Sequence, residues 1–554
     1  MMHTSAKAAL GAYTNLATEC KVLPEDSEYI ESLWNRKADK RENKGGCIMT
    51  IPLIVILITI VVYLIMMIVI GFKFSKTNNT VDDFYLGGRK LGPFVTAMSA
   101  EASDMSSWLL MGLPGVAYLS GVCDAFWTAI GLAVGTWVNW LVVSKRIRRY
   151  SHKIGAITIP DFFSKRYKEE KNILTCISAL VIIIFFIPYT ASGFAACGKL
   201  FNSLFGVDYH VAMIVCAIII VAYTALGGFL AASTTDLIQS IVMTIALVVV
   251  LGYGTSQAGG VNAVIDNAQS LAGYLSFHTL YDVESGNAQP YGILTIVSTL
   301  AWGLGYFGMP HILLRFMATE DEKKLSLSRR IATIWVVISM GISIVIGIVG
   351  LGMSKVGVIG TLVGTESETI IVKIADLLSS HGVFTALIAG VILAGILAAT
   401  MSTSDSQLLA ASSSVSQNIL TDFLHKKMNQ KQSVIVARAT VIIISMISVV
   451  LAWDQDSSVF QIVSFAWAGF GAAFGPVMLL ALFWKRSNQY GALAGMVSGG
   501  AMVFIWKYLV RPMGGVLDIY ELLPAFILAL LINVFISLIT TKPSKEIVEE
   551  FESV

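Results

Sequence analysis

Charged residues are scarce in this chain: Asp, Glu, Lys and Arg make up 13% of its 554 residues, about half the roughly 25% of an ordinary soluble domain. With a hydrophobic share of 55% and a mean hydropathy of +0.74, that deficit excludes a soluble fold. An excess of either sign is missing too. Lys+Arg 38 against Asp+Glu 36 leaves a net charge of +2, and the basic residues are scattered among short loops, which excludes a nucleic-acid surface. Cysteine is also sparse. The six, Cys20, Cys47, Cys123, Cys176, Cys197 and Cys216, form no Cys-x-x-Cys pair, and four lie in or beside apolar runs, where a thiol behaves as a small hydrophobe. Neither a disulfide framework nor a metal cluster is expected. The first 48 residues hold no apolar segment ahead of a small-residue cleavage site, so no secretory signal is read there.

What the chain does have is apolar runs long enough to cross a bilayer, about 20 residues each. Thirteen are legible, at approximately 51–72, 94–120, 125–143, 174–198, 211–230, 238–254, 292–314, 331–351, 383–401, 434–453, 459–483, 491–508 and 522–540. The expected fold class is therefore an all-α polytopic membrane protein. Short Lys/Arg-rich loops stay cytoplasmic. Of the 38 Lys/Arg, 26 lie in or at the edge of the loops after odd-numbered runs, 5 in those after even-numbered runs and 7 before the first run. This split predicts a cytoplasmic C-terminus and an external start of the first run, with Lys145, Arg146, Arg148 and Arg149 as the strongest internal anchor loop. Arg36, Lys37, Lys40, Arg41 and Lys44 have the wrong composition for a short external tail. Met49, leading through Thr50-Ile51-Pro52 straight into the first run, is expected to be the functional start. Residues 1–48 are then a start-site artefact or a disordered tail, 49–540 the membrane body and 541–554 a cytoplasmic tail.

Two runs are not plain Val/Ile/Leu/Ala helices. The second carries Ser99, Glu101, Ser103, Asp104, Ser106 and Ser107 and then Gly112-Leu113-Pro114-Gly115; the seventh reads Trp302-Gly303-Leu304-Gly305-Tyr306-Phe307-Gly308-Met309-Pro310. Unwound backbone survives in hydrocarbon only where protein, a cavity or a bound ion supplies partners for its N–H and C=O groups. A pair of interrupted segments in corresponding halves points to a secondary transporter with substrate and ion at the midplane. Asp104, an ionisable group at membrane depth, marks the function. Glu101, three residues earlier on the same face, reads either as a second functional carboxylate or as a residue facing a water-filled vestibule. The ninth run closes with Thr400-Met401-Ser402-Thr403-Ser404-Asp405-Ser406. Such hydroxyls commonly bond back to the helix; combined with freed carbonyls of the second run they form an oxygen shell suited to Na⁺.

The stretches Asp82–Arg89, Leu91–Ala97, Ala102–Ser106, Trp108–Gly115, Trp302–Gly308, Pro310–Leu313 and Ala466–Pro476 resemble the solute:sodium symporter family, in its sodium/proline branch, from about Met49 to the C-terminus. The resemblance implies a thirteen-helix protein of the bacterial plasma membrane with a five-plus-five inverted-repeat core, formed by about 94–254 and 292–483. It implies Na⁺ on Ala102, Met105, Ala399, Ser402 and Thr403, with Asp104, Arg89 and Asp236 in ion coupling. L-proline is implied beside Ser106, Ser107, Trp108, Tyr189, Trp302, Tyr306 and Pro310. No cofactor is implied beyond Na⁺ as the coupling ion. Glu101 and Ser107 depart from the pattern, standing where the family's proline symporters carry glycine. The expected activity is Na⁺-driven import of L-proline by alternating access. The alternatives are the same mechanism with another small organic solute, or a membrane solute sensor, for which about 14 residues after the last run leave no room for a signalling domain. No nucleophile-and-base constellation suggests an enzyme.

Overall fold

In hydrocarbon an isolated segment has only itself to satisfy its backbone, so the apolar runs become helices. The computed structural model describes residues 50–75, 81–283 and 285–554; the expectations for residues 1–48 and for a start at Met49 lie outside the described residues. Helices α1 (Ile51–Ser75) and α2 (Val81–Leu86) precede α3 (Pro93–Ser107), a π turn at Trp108–Gly112 and α4 (Leu113–Ser120). Then come α5 (Val122–Lys153), α6 (Ile159–Tyr167), α7 (Ile173–Phe205), α8 (Tyr209–Gln257) and α9 (Val261–Ser270). A small hairpin pairs β1 (Thr279–Tyr281) antiparallel with β2 (Ala288–Pro290). After it α10 (Ile293–Leu300) runs into a 3₁₀ segment at Ala301–Phe307, followed by α11 (Pro310–Ala318), α12 (Leu325–Lys355), α13 (Ile370–Ser379) and α14 (Val383–Ser413). The chain closes with α15 (Gln430–Leu451), α16 (Val459–Phe483), α17 (Gln489–Ile505), α18 (Leu522–Ile539) and α19 (Lys545–Glu552).

Among the described residues ten helices have the length and apolar composition to cross a membrane, or eleven if the pair Ile293–Phe307 and Pro310–Ala318, bent by 44°, is one span. Thirteen runs were expected, and two fall short of that test. Run 94–120 is divided by polar residues and a break, and the apolar helix Tyr209–Ala222 is short. The loop expected between runs 211–230 and 238–254 is absent; α8 is continuous except at Gly228, where φ is 70°. Helix α5 continues well past residue 143, so Lys145, Arg146, Arg148 and Arg149 ride on its last turns.

Residues Ile51–Val554 form one compact unit. Within it α14 and α16 are largely buried, while α1 turns Ile51, Ile58, Val62 and Val69 outward, as a lipid-facing helix does. Glycines let two elements meet where the site lies: a Cβ on Gly303 would fall on the Gly131 carbonyl, and one on Gly135 would fall on Gly303. Gly131 and Gly135 are one turn apart on α5, a small-xxx-small face that admits the 3₁₀ segment to backbone contact.

Candidate ion and substrate site

Helix α3 starts on Pro93, whose missing N–H costs nothing at a first turn, and stops at Ser106, where φ 49° and ψ −170° interrupt the helix. The Ser106 hydroxyl oxygen accepts the Trp108 N–H at 3.1 Å, starting the chain again beyond the break. Carbonyls in the last turn lose their usual donors four residues on. Two of them find side-chain hydroxyls on other helices: Ser402 Oγ of α14 donates to the Ala102 carbonyl at 2.7 Å, and Tyr189 Oη of α7 donates to the Asp104 carbonyl at 3.0 Å. Ser402 and Thr403 also each point a hydroxyl at the Ala399 carbonyl, both at 3.1 Å. Ala102, Ala399, Ser402 and Thr403 thus form one knot of oxygens between α3 and α14. The Met105 carbonyl lies at the end of α3 and takes the Trp108 N–H.

The hydroxyl cluster does not close its helix, as the sequence suggested. Helix α14 runs on through it to Ser413 and a π segment ending at Phe423, because Thr400, Ser402 and Thr403 bond back to carbonyls three or four residues earlier and the residues Ala398–Ser413 are buried.

Asp104 Oδ2 accepts the Tyr306 hydroxyl at 2.6 Å, tying α3 to the 3₁₀ segment. Around this bond stand flat aromatic walls. Trp302 lies 5.6 Å from Trp108 and stacks on Tyr520 at 5.2 Å and 21°, Phe460 stacks on Trp108 at 5.8 Å, and Tyr306 meets Trp467 edge to face at 5.0 Å. Carbonyls of the 3₁₀ segment are satisfied from outside: Trp467 Nε1 donates to Trp302 at 2.7 Å and Asn139 Nδ2 to Tyr306 at 3.1 Å. Ser107 Oγ and Trp108 Nε1 are buried polar atoms without a partner among the described residues, so they are free to meet a solute. Pro310 begins α11 beside this room and is buried. Phe460, Tyr520 and Asn139 were not singled out from sequence, and Trp467 stood only within the stretch Ala466–Pro476; an aromatic or Asn in or beside an apolar run carries no signal of its own.

Glu101 does not face a vestibule. It is 1% exposed and accepts the Trp140 indole N–H at 3.0 Å. Asp236 lies in a separate buried knot: its Oδ2 accepts Ser99 Oγ at 2.6 Å and Arg315 Nη2 at 3.1 Å, while Arg315 also donates to Ser406 Oγ at 2.5 Å. Arg315, counted by sequence among the cytoplasmic-loop cations, is 1% exposed inside the bundle. Arg89 is not brought to the oxygen knot. It bonds the carbonyls of Met317 at 2.7 Å and Ala156 at 2.6 Å, pinning the end of α11 to the segment after α5.

The sodium:solute symporter family matches residues 84–499. The osmoregulated proline transporter OpuE of Bacillus subtilis (strain 168) is 40% identical over 492 residues, covering 88% of this chain and 96% of the relative. The sodium/proline symporter of Escherichia coli (strain K12) is 40% identical over 505 residues, covering 89% and 95%. Among solved structures, a substrate-bound, outward-open Na⁺-coupled sialic acid symporter shares the fold with a TM-score of 0.72 at 18% identity, over 89% of this chain and 99% of that one. MhsT in complex with L-phenylalanine aligns at a TM-score of 0.53 and 11% identity, over 81% and 98%. A family match across most of the membrane body, joined by relatives at this identity along nearly their full length, makes the chain a member of the sodium:solute symporter family.

Proposed function

We propose that this protein imports L-proline with Na⁺ by alternating access in a bacterial plasma membrane. The observation that carries the reading is the bond from Ser402 of α14 to the Ala102 carbonyl freed by the break in α3. Na⁺, as cargo, would be held by the carbonyls of Ala102, Met105 and Ala399 and the hydroxyls of Ser402 and Thr403. Its charge draws these oxygens inward and ties α3 to α14. Asp104 extends that tie: its carboxylate holds Tyr306 of the 3₁₀ segment and its carbonyl holds Tyr189 of α7. Order at the ion position is therefore passed to the proline position. Proline's ring suits the walls of Trp108, Trp302 and Tyr306, and its carboxylate suits the N–H groups at the start of the half-helix after Ser106. Ser106, Ser107, Tyr189 and Pro310 complete the proposed pocket, with Arg89 and Asp236 in coupling.

Coupling of this kind is a difference in affinity between outward and inward states. Entry of one positive charge adds about 2.3 kcal/mol per 100 mV of membrane potential. The reading includes thirteen crossings, a core of two inverted five-helix repeats at about 94–254 and 292–483, an external start of α1 and a cytoplasmic tail at 541–554. The breaks at Ser106 and Ala301–Phe307, five runs apart, support that arrangement. Proline uptake into vesicles with and without an imposed Na⁺ gradient tests it. Gradient-dependent accumulation is expected. Uptake indifferent to Na⁺ overturns the coupling, and a counterflow in which excess proline fails to compete moves the assignment to another small solute.

A further inference from the structure

From the proposed Na⁺ position a polar face continues along α14. Ser402, Ser406 and Ser413 share that face by their spacing of four and seven, and Ser416 follows in the π segment. All four are buried. Ser406, one turn past Ser402, accepts the Arg315 guanidinium at 2.5 Å. Beyond it lies a cavity of about 10 Å³ lined by Tyr85, Thr158, Phe229, Arg315, Ser406 and Ser413. That volume is at the lower limit for one water, so the polar face runs into a closed throat.

Two buried hydrogen bonds hold the throat shut. Tyr85 Oη of α2 lies 2.6 Å from Ser416 Oγ. The Ser416 hydroxyl proton is used on the Ser412 carbonyl at 2.8 Å, which leaves Tyr85 as the donor. Thr158, at the start of α6, donates to Asn418 Oδ1 at 3.1 Å, and Asn418 donates in turn to Asp422 Oδ2 at 3.1 Å. The element carrying Tyr85 is placed to turn. It has six residues and joins α3 through Gly87, Gly88 and Arg89, at φ 62°, 59° and 55°. Arg89 is anchored on the Met317 and Ala156 carbonyls, so the far end of this pivot is fixed. At the near end Phe229 fits against Gly87, where a Cβ would come within 3.2 Å of the ring, and the same ring lies 5.1 Å from the Arg315 guanidinium.

We propose that Tyr85 is the bolt of an inner gate: its bond to Ser416 keeps the throat closed, and its withdrawal with α2 about Gly87–Arg89 opens the way from Ser406 to the cytoplasm. Na⁺ then leaves past the hydroxyls of Ser406 and Ser413. Tyr85 is a positioning residue, since its bond is to Ser416 of the π segment and it lies outside the proposed Na⁺ and proline positions. The bolt biases the equilibrium between outward and inward states, and the apparent Na⁺ affinity from outside follows the fraction of protein left facing outward. This inference rests on Na⁺-coupled proline import with the end of α14 on the cytoplasmic side.

The test uses the full chain in a background lacking the six native cysteines. One reporter, Ser413→Cys, lies in the throat and is read in inverted vesicles. The other, Phe460→Cys, lies at the outer end of the aromatic room and is read in intact cells, both without Na⁺ or proline. Tyr85→Phe and Ser416→Ala are each expected to speed thiol labelling at the throat roughly threefold or more, the scale of one hydrogen bond, and to slow it at the outer reporter. A general loosening of the fold speeds both and overturns the bolt. The double variant should move no further than the stronger single one, because both delete the same bond; additive effects overturn the pairing. Ser416→Thr keeps a hydroxyl and should behave as wild type, while the two deletions raise the Na⁺ concentration for half-maximal uptake. Unchanged labelling in deletion variants that still take up proline overturns the proposal, as does a throat that reacts only from outside. Where Tyr85→Phe fails to reach the membrane, Ser416→Ala tests the same bond from its other side. Na⁺-indifferent uptake by the wild type overturns the import reading alone, because the labelling rates are measured without either solute.

Discussion

At the scale of single residues, the site depends on side chains that repair a broken backbone. Replacing Ser402 and Thr403 together by Ala removes two oxygens from the proposed Na⁺ shell. Hydrogen-bond-like contacts to a charged group are worth about 1.5–3 kcal/mol, so the Na⁺ concentration for half-maximal uptake is expected to rise roughly tenfold or more; unchanged Na⁺ dependence would remove these residues from the shell. Tyr306→Phe leaves Asp104 Oδ2 buried without its donor, a cost of about 1–3 kcal/mol, expected as a rise in the proline concentration for half-maximal uptake with protein levels maintained. Arg315→Met strands Asp236 as an uncompensated buried charge and should lower thermal stability in detergent by about 3–5 kcal/mol, largely restored by adding Asp236→Asn. Asp104 was legible in the sequence because a carboxylate in an apolar run is costly and conspicuous. Arg315 was not: by sequence it reads as the first cation of a loop, and only the turn of α11 shows it pointing inward.

At the scale of elements, glycine and proline announced the breaks, but packing explains where they fall. The run Trp302–Pro310 unwinds against α5 because Gly131 and Gly135 leave no side chain in the way. Gly303→Ala drives a methyl into the Gly131 carbonyl, so loss of uptake with a lowered melting temperature is expected, measured against Gly341→Ala, where a Cβ meets nothing within 4 Å. The hydroxyl cluster on α14 taught the reverse lesson. Its polarity suggested an end, yet the helix continues, since Thr400, Ser402 and Thr403 each have a carbonyl on their own helix to bond and the whole cluster is buried.

For the whole molecule, alternating Lys/Arg content predicts sidedness. In a background lacking the six native cysteines, a cysteine replacing Asn262 after α8 should react with a membrane-impermeant thiol reagent in intact cells. One replacing Asn429 before α15 should react only in inverted vesicles. Both positions are exposed, so the opposite pattern would reverse the proposed orientation.

Composition and periodicity alone determined that this chain is built of membrane-spanning helices, where most of them lie and where two of them are interrupted, because hydrophobicity and helix-breaking are properties of short stretches. Only the tertiary structure decided what those interruptions meet. The bond from Ser402 to Ala102 joins residues 300 apart in sequence, the aromatic room draws Phe460, Trp467 and Tyr520 from α16 and the approach to α18, and the bond from Trp140 to Glu101 joins α5 to α3. Such contacts depend on distance in space, which no local pattern encodes.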